Sequence, residues 1–92
     1  MPSVRSQRVT VGSSATMVAP ARARLSLSVR NLGPGRVFLG GRDVTASTGF
    51  VLEVGDTWSL GAGSAQTSEQ LVEVWAMAAG GAELAVVEVA EP

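Results

Sequence analysis

Along this chain apolar residues recur at spacing two more often than at three or four. In "RLSLSVR" (residues 24–30) Leu25, Leu27 and Val29 alternate with Arg24, Ser26, Ser28 and Arg30, the pattern of a half-buried strand. "SQRVTVG" reads as an earlier strand, with a further extended piece around Met17 to Ala19. "RVFLGG", "GFVLEV", "GDTWSL", "QLVEVWAMA" and "ELAVVEV" supply the later ones. The breaks between them carry turn chemistry: Gly33-Pro34-Gly35, the paired Gly40-Gly41, Gly55-Asp56 and Gly80-Gly81. Gly55-Asp56 and Gly80-Gly81 each read as a hairpin connection. About seven to eight short strands at regular spacing predict an all-β chain, a small antiparallel β-sandwich or jelly-roll-like barrel. "GAGSAQTSEQ" (residues 61–70) has no apolar period and reads as a surface loop.

At 92 residues the chain is one domain at most. Residues 1–7 read as a flexible N-terminal arm and 8–92 as the sandwich, because the arm has no apolar pattern able to fold by itself. With no cysteine no disulfide framework compensates for a small core, so assembly with a partner is an expected source of stability. No apolar run approaches the ~20 residues that span a bilayer, and the first residues lack the apolar stretch of a secretory signal. The expectation is a chain made and kept in the cytoplasm, without a membrane partner.

Charge is distributed unevenly. All seven basic residues are arginines (Arg5, Arg8, Arg22, Arg24, Arg30, Arg36, Arg42), and all eight acids, from Asp43 to Glu91, follow them. Either strands of the two halves interleave and the charges cancel locally, or the subunit has a basic and an acidic end that steer contacts with neighbours. Nucleic acid is a poor partner, since the acidic half repels phosphate and no aromatics interleave with the arginines.

The chemical inventory points away from catalysis. Without His, Lys or Cys a Ser-His-Asp arrangement and the usual alternative bases and nucleophiles are missing. Asp43, Glu53 and Asp56 lie close in sequence, yet a domain this small offers little room for a cleft that separates two carboxyl pKa values. "GGRDVTASTG" has neither the spacing nor the lysine of a phosphate loop, and two acids without an EF-hand pattern are a poor calcium site. No catalytic residue, cofactor, metal or small-molecule substrate is expected. The stretch reads instead as a structured corner. Gly40 and Gly41 turn the chain with positive φ, Asp43 accepts a backbone hydrogen bond near Thr45, and Gly49 lets the chain return into the next strand.

"LVEVWAMA" (residues 71–78) is apolar on both faces. Leu71, Trp75 and Met77 share one face with Glu73, and Val72, Val74 and Ala76 share the other. Only one face of a sandwich strand meets the core. Either Trp75 and Met77 are core and the small Val/Ala face is partly exposed, or Leu71, Trp75 and Met77 form an interface, where Trp and Met are enriched. Trp58 and Leu60 read as pointing inward together, with Phe38 or Phe50 capping the core or covering an edge. Arg5 and Arg8 on the arm are candidates to meet acidic groups of a neighbour.

The segment "VFLGGRDVTASTGFVLEVGDTWSLGAG", with "SVRNLGPGRVFLGG" before it and "VEVWAMAAGGAELAVVEV" after it, resembles small virion proteins of tailed bacteriophages, especially those of high-GC actinobacterial hosts. The shared form is an apolar strand, GGxDVT, a short spacer with Gly, an apolar strand and a G-[DE]-x turn. The resemblance covers residues 24–89. It implies a non-enzymatic virion structural protein on the capsid exterior, a decoration or accessory protein assembled in the host cytoplasm. Its partners would be the major capsid protein and copies of itself, as a homotrimer. The alternative within reach of the same resemblance is a tail, fibre or connector component with a host-surface or carbohydrate-binding role.

Overall fold

The computed structural model describes residues 3–20, 24–61 and 73–90. Among them are eight strands and no helix: β1 (Ser3–Val11), β2 (Thr16–Ala19), β3 (Arg24–Pro34), β4 (Val37–Gly40), β5 (Phe50–Leu52), β6 (Thr57–Gly61), β7 (Val74–Met77) and β8 (Ala82–Ala90). They form two antiparallel four-stranded sheets, ordered β1-β8-β3-β6 and β2-β7-β4-β5. Odd and even partners fold back on one another, first with last: β1 with β8, β2 with β7, β3 with β6 and β4 with β5. This is the winding of a jelly roll, in which a long antiparallel ribbon is rolled into two sheets.

The winding corrects the reading of the turns. β5 and β6 belong to different sheets, as do β7 and β8. The turns at Gly55-Asp56 and Gly80-Gly81 are therefore arches that carry the chain across the core, not hairpins. Only β4 and β5 are consecutive strands that pair directly. The Gly55 turn is closed by the Asp56 N–H donating to the Glu53 carbonyl at 2.9 Å, and by the Glu53 N–H donating to Asp56 Oδ2 at 3.3 Å. Gly55 itself sits at φ 91°, a conformation that a Cβ would oppose.

Alternation along each strand sends one set of side chains inward. Val9 and Val11 from β1, Leu27 and Val29 from β3, and Ala82, Leu84 and Val86 from β8 meet Val18, Val37, Leu39, Leu52, Val74 and Ala76 from the other sheet. Trp58 packs against this cluster from the β6 side, as its strand pattern suggests; the Leu60 side chain and residues 62–72 lie outside the described set. Full burial of a Val or Leu side chain contributes about 1.5–3 kcal/mol, and Leu27, Val29, Val37 and Leu84 show no exposed surface.

One polar residue is buried at the centre. Asn31 has no accessible surface, and its amide joins three pieces of chain. Nδ2 donates to the carbonyls of Gly35 (2.9 Å) and Leu52 (2.8 Å), while Oδ1 accepts the Gly33 N–H at 2.7 Å. The backbone of Asn31 adds two more links to the Gly55-Asp56 turn. A buried amide satisfied in this way holds the β3–β4 arch and β5 in one arrangement.

The two sheets differ in length. β1, β3 and β8 run to nine, eleven and nine residues, whereas β2, β4, β5 and β7 have only three or four. Residues 3–7, read from sequence as part of a separate arm, are the first part of β1 and pair in continuous register with β8. Ser3 to Arg8 are exposed on both faces of the strand, so their tie to the fold is the β8 ladder more than burial.

Candidate functional site

The face of β7 that meets the core is the small one. Val74, Ala76 and Ala78 are buried in the central cluster, and Ala76 is paired with the inward Leu39 of β4. Trp75 and Met77, one residue out of step, therefore stand on the outer face of their sheet. Their neighbours there follow from the register. Trp75 lies beside Met17 of β2 and Gly40 of β4, and Met77 beside Phe38, which is in turn beside Val51 of β5. The outer face of the short sheet thus carries large apolar side chains, of which Met17 and Val51 are exposed, Trp75 and Phe38 half-buried and Met77 buried. This resolves the choice left open by the strand pattern in favour of the outward orientation. Leu71, the third member of the expected set, lies outside the described residues.

The glycine-rich corner covers part of this row. Residues 41–49 connect β4 to β5, and Val44, only 6% exposed, packs over Gly40. A Cβ on Gly40 would lie 2.8 Å from Val44 Cγ2, and one on Gly49 would lie 2.6 Å from Phe38 Cβ. Gly40 and Gly49 are required for close approach. The positive φ expected at Gly40-Gly41 occurs instead at Gly33, Gly55 and Gly81 among the described residues. Gly41 contributes its carbonyl, which accepts the Val44 N–H at 3.1 Å.

The hydroxyls, not the acid, hold the corner. Thr45 Oγ1 accepts from the N–H groups of Ser47 (3.2 Å) and Thr48 (3.3 Å), and Thr48 Oγ1 accepts the Thr45 N–H at 3.1 Å. The Thr45 carbonyl accepts from Thr48 and Gly49. Asp43 is exposed and takes no part in this network. The Asx turn expected there is replaced by a hydroxyl turn two residues later, because Thr45 sits where its short side chain can reach the amides of Ser47 and Thr48.

A polar cluster rims the apolar row. Trp75 Nε1–H donates to Glu73 Oε1 at 3.0 Å, and Arg42 Nη2 lies 3.5 Å from the same oxygen. The Arg42 guanidinium stands 5.7 Å from the Trp75 ring centroid, within range of a cation–π contact worth about 0.5–1 kcal/mol at an exposed site. The indole is held in one orientation by this pair while Met17 (40% exposed) remains accessible beside it and Val51 (43%) beyond Phe38.

Arg5 and Arg8 lie on β1, far in sequence from the corner. Arg8 forms an ion pair with Glu83 at 3.5 Å, and Arg5 is the register partner of Glu88. Arg36–Glu53 (3.0 Å) and Arg42–Glu73 follow the same rule of early arginine with late acid. Strands from the two halves of the chain interleave, so that three of the arginines pair with late acids. The end of the sandwich near Arg5 holds a cavity of about 50 Å³ lined by Arg5, Gln7, Ala19, Pro20, Val86 and Glu88, room for little more than ordered water.

Several residues of consequence escaped the sequence reading. Asn31 has a visible signal, an amide directly before a Gly-Pro-Gly turn. Val44 is a lone apolar residue in a polar corner. Glu88, 6% exposed, lies in the inward series of β8, where alternation alone marks it as unusual. No protein-family model, curated protein or solved structure matches the chain.

Proposed function

We propose that this chain is a non-enzymatic structural protein of a phage virion, a decoration or accessory protein that binds an assembled capsid and stabilises it. The observation that carries the reading is the apolar outer face of the short sheet, where the exposed Met17 and Val51 flank the half-buried Trp75 and Phe38. Outer faces of antiparallel sheets are normally polar, and a contiguous apolar patch rimmed by charges is the usual mark of a protein–protein contact. The sequence resemblance to small virion proteins names the partner class, the major capsid protein. The jelly-roll winding agrees with it, since viral capsid domains share that architecture, although a fold by itself does not define a function. The mechanism is clamping: the apolar row seats against capsid subunits at their junction, and repetition over the shell gives avidity that one small domain lacks.

The test is reconstitution. Purified chain mixed with undecorated shells should co-sediment with them and raise their disassembly temperature, and Trp75→Ala should weaken both effects. Absence of binding and of any temperature shift removes the proposal. A second reading rests on Trp75 with Glu73 and Arg42, an aromatic ring flanked by polar groups, as a carbohydrate-binding face on a tail or fibre. There, glycans would bind and shells would not. A glycan screen with the purified chain, monitored by tryptophan fluorescence, separates the two.

A further inference from the structure

The two lateral sides of the sandwich are complementary to each other. One side consists of β1 and β2, joined by the short link at Gly12 and tied by the Gln7 amide donating to the Val18 carbonyl at 3.3 Å. The other consists of β5 and β6, joined by the Gly55 turn. Among the described residues, each is an open edge of both sheets. From these observations we infer that copies of this chain associate head to tail, the β1–β2 side of one docking on the β5–β6 side of the next, with β1 adding to the long sheet next to β6.

Three features carry this. First, direction: every neighbouring pair within each sheet is antiparallel, and each sheet has four strands. The two edge strands of a sheet therefore run in opposite directions, so a neighbour brought alongside without inversion presents β6 antiparallel to β1. Both sheets then continue across the junction by ordinary ladder hydrogen bonds. Second, charge: residues 3–19 contain Arg5 and Arg8 and no acid, and residues 50–61 contain Glu53 and Asp56 and no base. Arg8 and Glu53 are engaged in exposed pairs within the chain, which are weak and readily exchanged. Among the described residues Arg5 has no ion-pair partner, and the Asp56 carboxylate meets only the Glu53 N–H. Like charges on β1 oppose pairing of β1 with itself, whereas the acidic side attracts it. Third, surface: among the described residues the strongly exposed Val4 lies on the first side, and Phe50 and Val54 on the second.

β1 is suited to the role. It is nine residues long, pairs with β8 without a bulge, and has no proline within it, so it lacks the usual devices that blunt an edge apart from its arginines. A head-to-tail contact closes a ring when the rotation per copy divides a full turn, and otherwise makes a filament. This inference adds to the association proposed above by naming the surface between copies, and it is tested without any shell, so either can fail alone.

The experiment is light scattering on the purified full chain and two double variants, with circular dichroism to show that each is folded. Wild type should have the mass of several chains. Arg5→Glu with Arg8→Glu, and separately Thr57→Arg with Ser59→Arg, should each run as single chains. An equimolar mixture of the two variants should associate again, since each keeps the edge the other has lost. Should the reversal on β1 unfold the chain, Arg5→Gln with Arg8→Gln is the milder version, with an expected loss of association of about tenfold. A wild-type chain that stays single up to millimolar concentration overturns the inference. So does a β6 variant that still assembles, which would point to β1 pairing with β1.

Discussion

On the outer face of the long sheet stand Ser28, Arg30, Thr57, Ser59 and Ala85, with one exposed valine, Val87, beside Ser28; on that of the short sheet stand Phe38, Trp75 and Met77. The inner faces share Val, Leu and Ala, and the long sheet adds Trp58, the buried Asn31 and Glu88. Ser28 and Ser59 hydroxyls approach each other at 3.4 Å across β3 and β6 on the outside. The short sheet instead recruits its own connection as a partial lid, Val44 over Gly40 and Gly49 against Phe38. A sheet that needs such a lid has an outer face adapted to contact, with Met17 and Val51 left open at its two edges.

The largest expected effect comes from the polar exception on the long sheet's inner face, Asn31. Asn31→Ala removes three hydrogen bonds and leaves the Gly33 N–H and the Leu52 carbonyl buried without a partner, at an expected cost of about 3 kcal/mol. Urea denaturation would read this as a large fall in midpoint, enough to unfold much of a domain this small. An unchanged midpoint would mean that the arch and β5 are held by something other than this amide.

Next in size is the lid. Gly49→Ala sets a methyl group 2.6 Å from Phe38 Cβ and 2.8 Å from Val44 Cγ2, and overpacking of this kind costs about 1–3 kcal/mol. Thermal melting should show the loss, and binding of a hydrophobic dye should rise as Phe38 and Met77 are uncovered. Gly41→Ala meets nothing closer than Asp43 Oδ1 at 3.8 Å and should be far milder.

The comparison of outer faces is sharpened by paired substitutions. Trp75→Ala should reduce shell binding at least tenfold, as truncating a central aromatic anchor does, with a melting temperature only modestly lower. Ser59→Ala on the long sheet should leave binding unchanged. Equal losses at both positions would show that the short sheet is not the contact face.

The smallest effects distinguish the two chemistries offered for the corner. Thr45→Val, which deletes the hydroxyl that accepts two amides, should cost about 1 kcal/mol, while Asp43→Ala should stay within about 0.5 kcal/mol. Chemical denaturation of both variants side by side decides between them, and a larger loss at Asp43 would reinstate the carboxylate as the cap.

How much of this was legible beforehand varies with the range of the interaction. Strand positions were readable because alternation is a local property: Leu27 and Val29 mark β3 wherever β3 ends up. The corner was recognisable from its glycines and hydroxyls, yet Thr45 took the part assigned to Asp43, since the choice between two neighbouring side chains depends on how the loop lies on Phe38. The arches at Gly55 and Gly80-Gly81 were mistaken for hairpins because a glycine pair turns the chain equally well within a sheet or between sheets. The arginine–acid pairs could be anticipated as one of two readings, and only the winding of β1 against β8 chose it.

By itself the sequence determined the fold class, the approximate strand positions, and a side-chain inventory without His, Lys or Cys. Those follow from composition and short-range periodicity. The tertiary structure alone decided which strands share a sheet, that Asn31 is the buried hub, and that Val74 and Ala76 rather than Trp75 and Met77 face the core. Alternation divides a strand into two faces but cannot say which is covered, because that depends on what distant segments bring against it. Here Leu39 and its neighbours accept the small face of β7, and the large one is left for the corner and for whatever docks beside it.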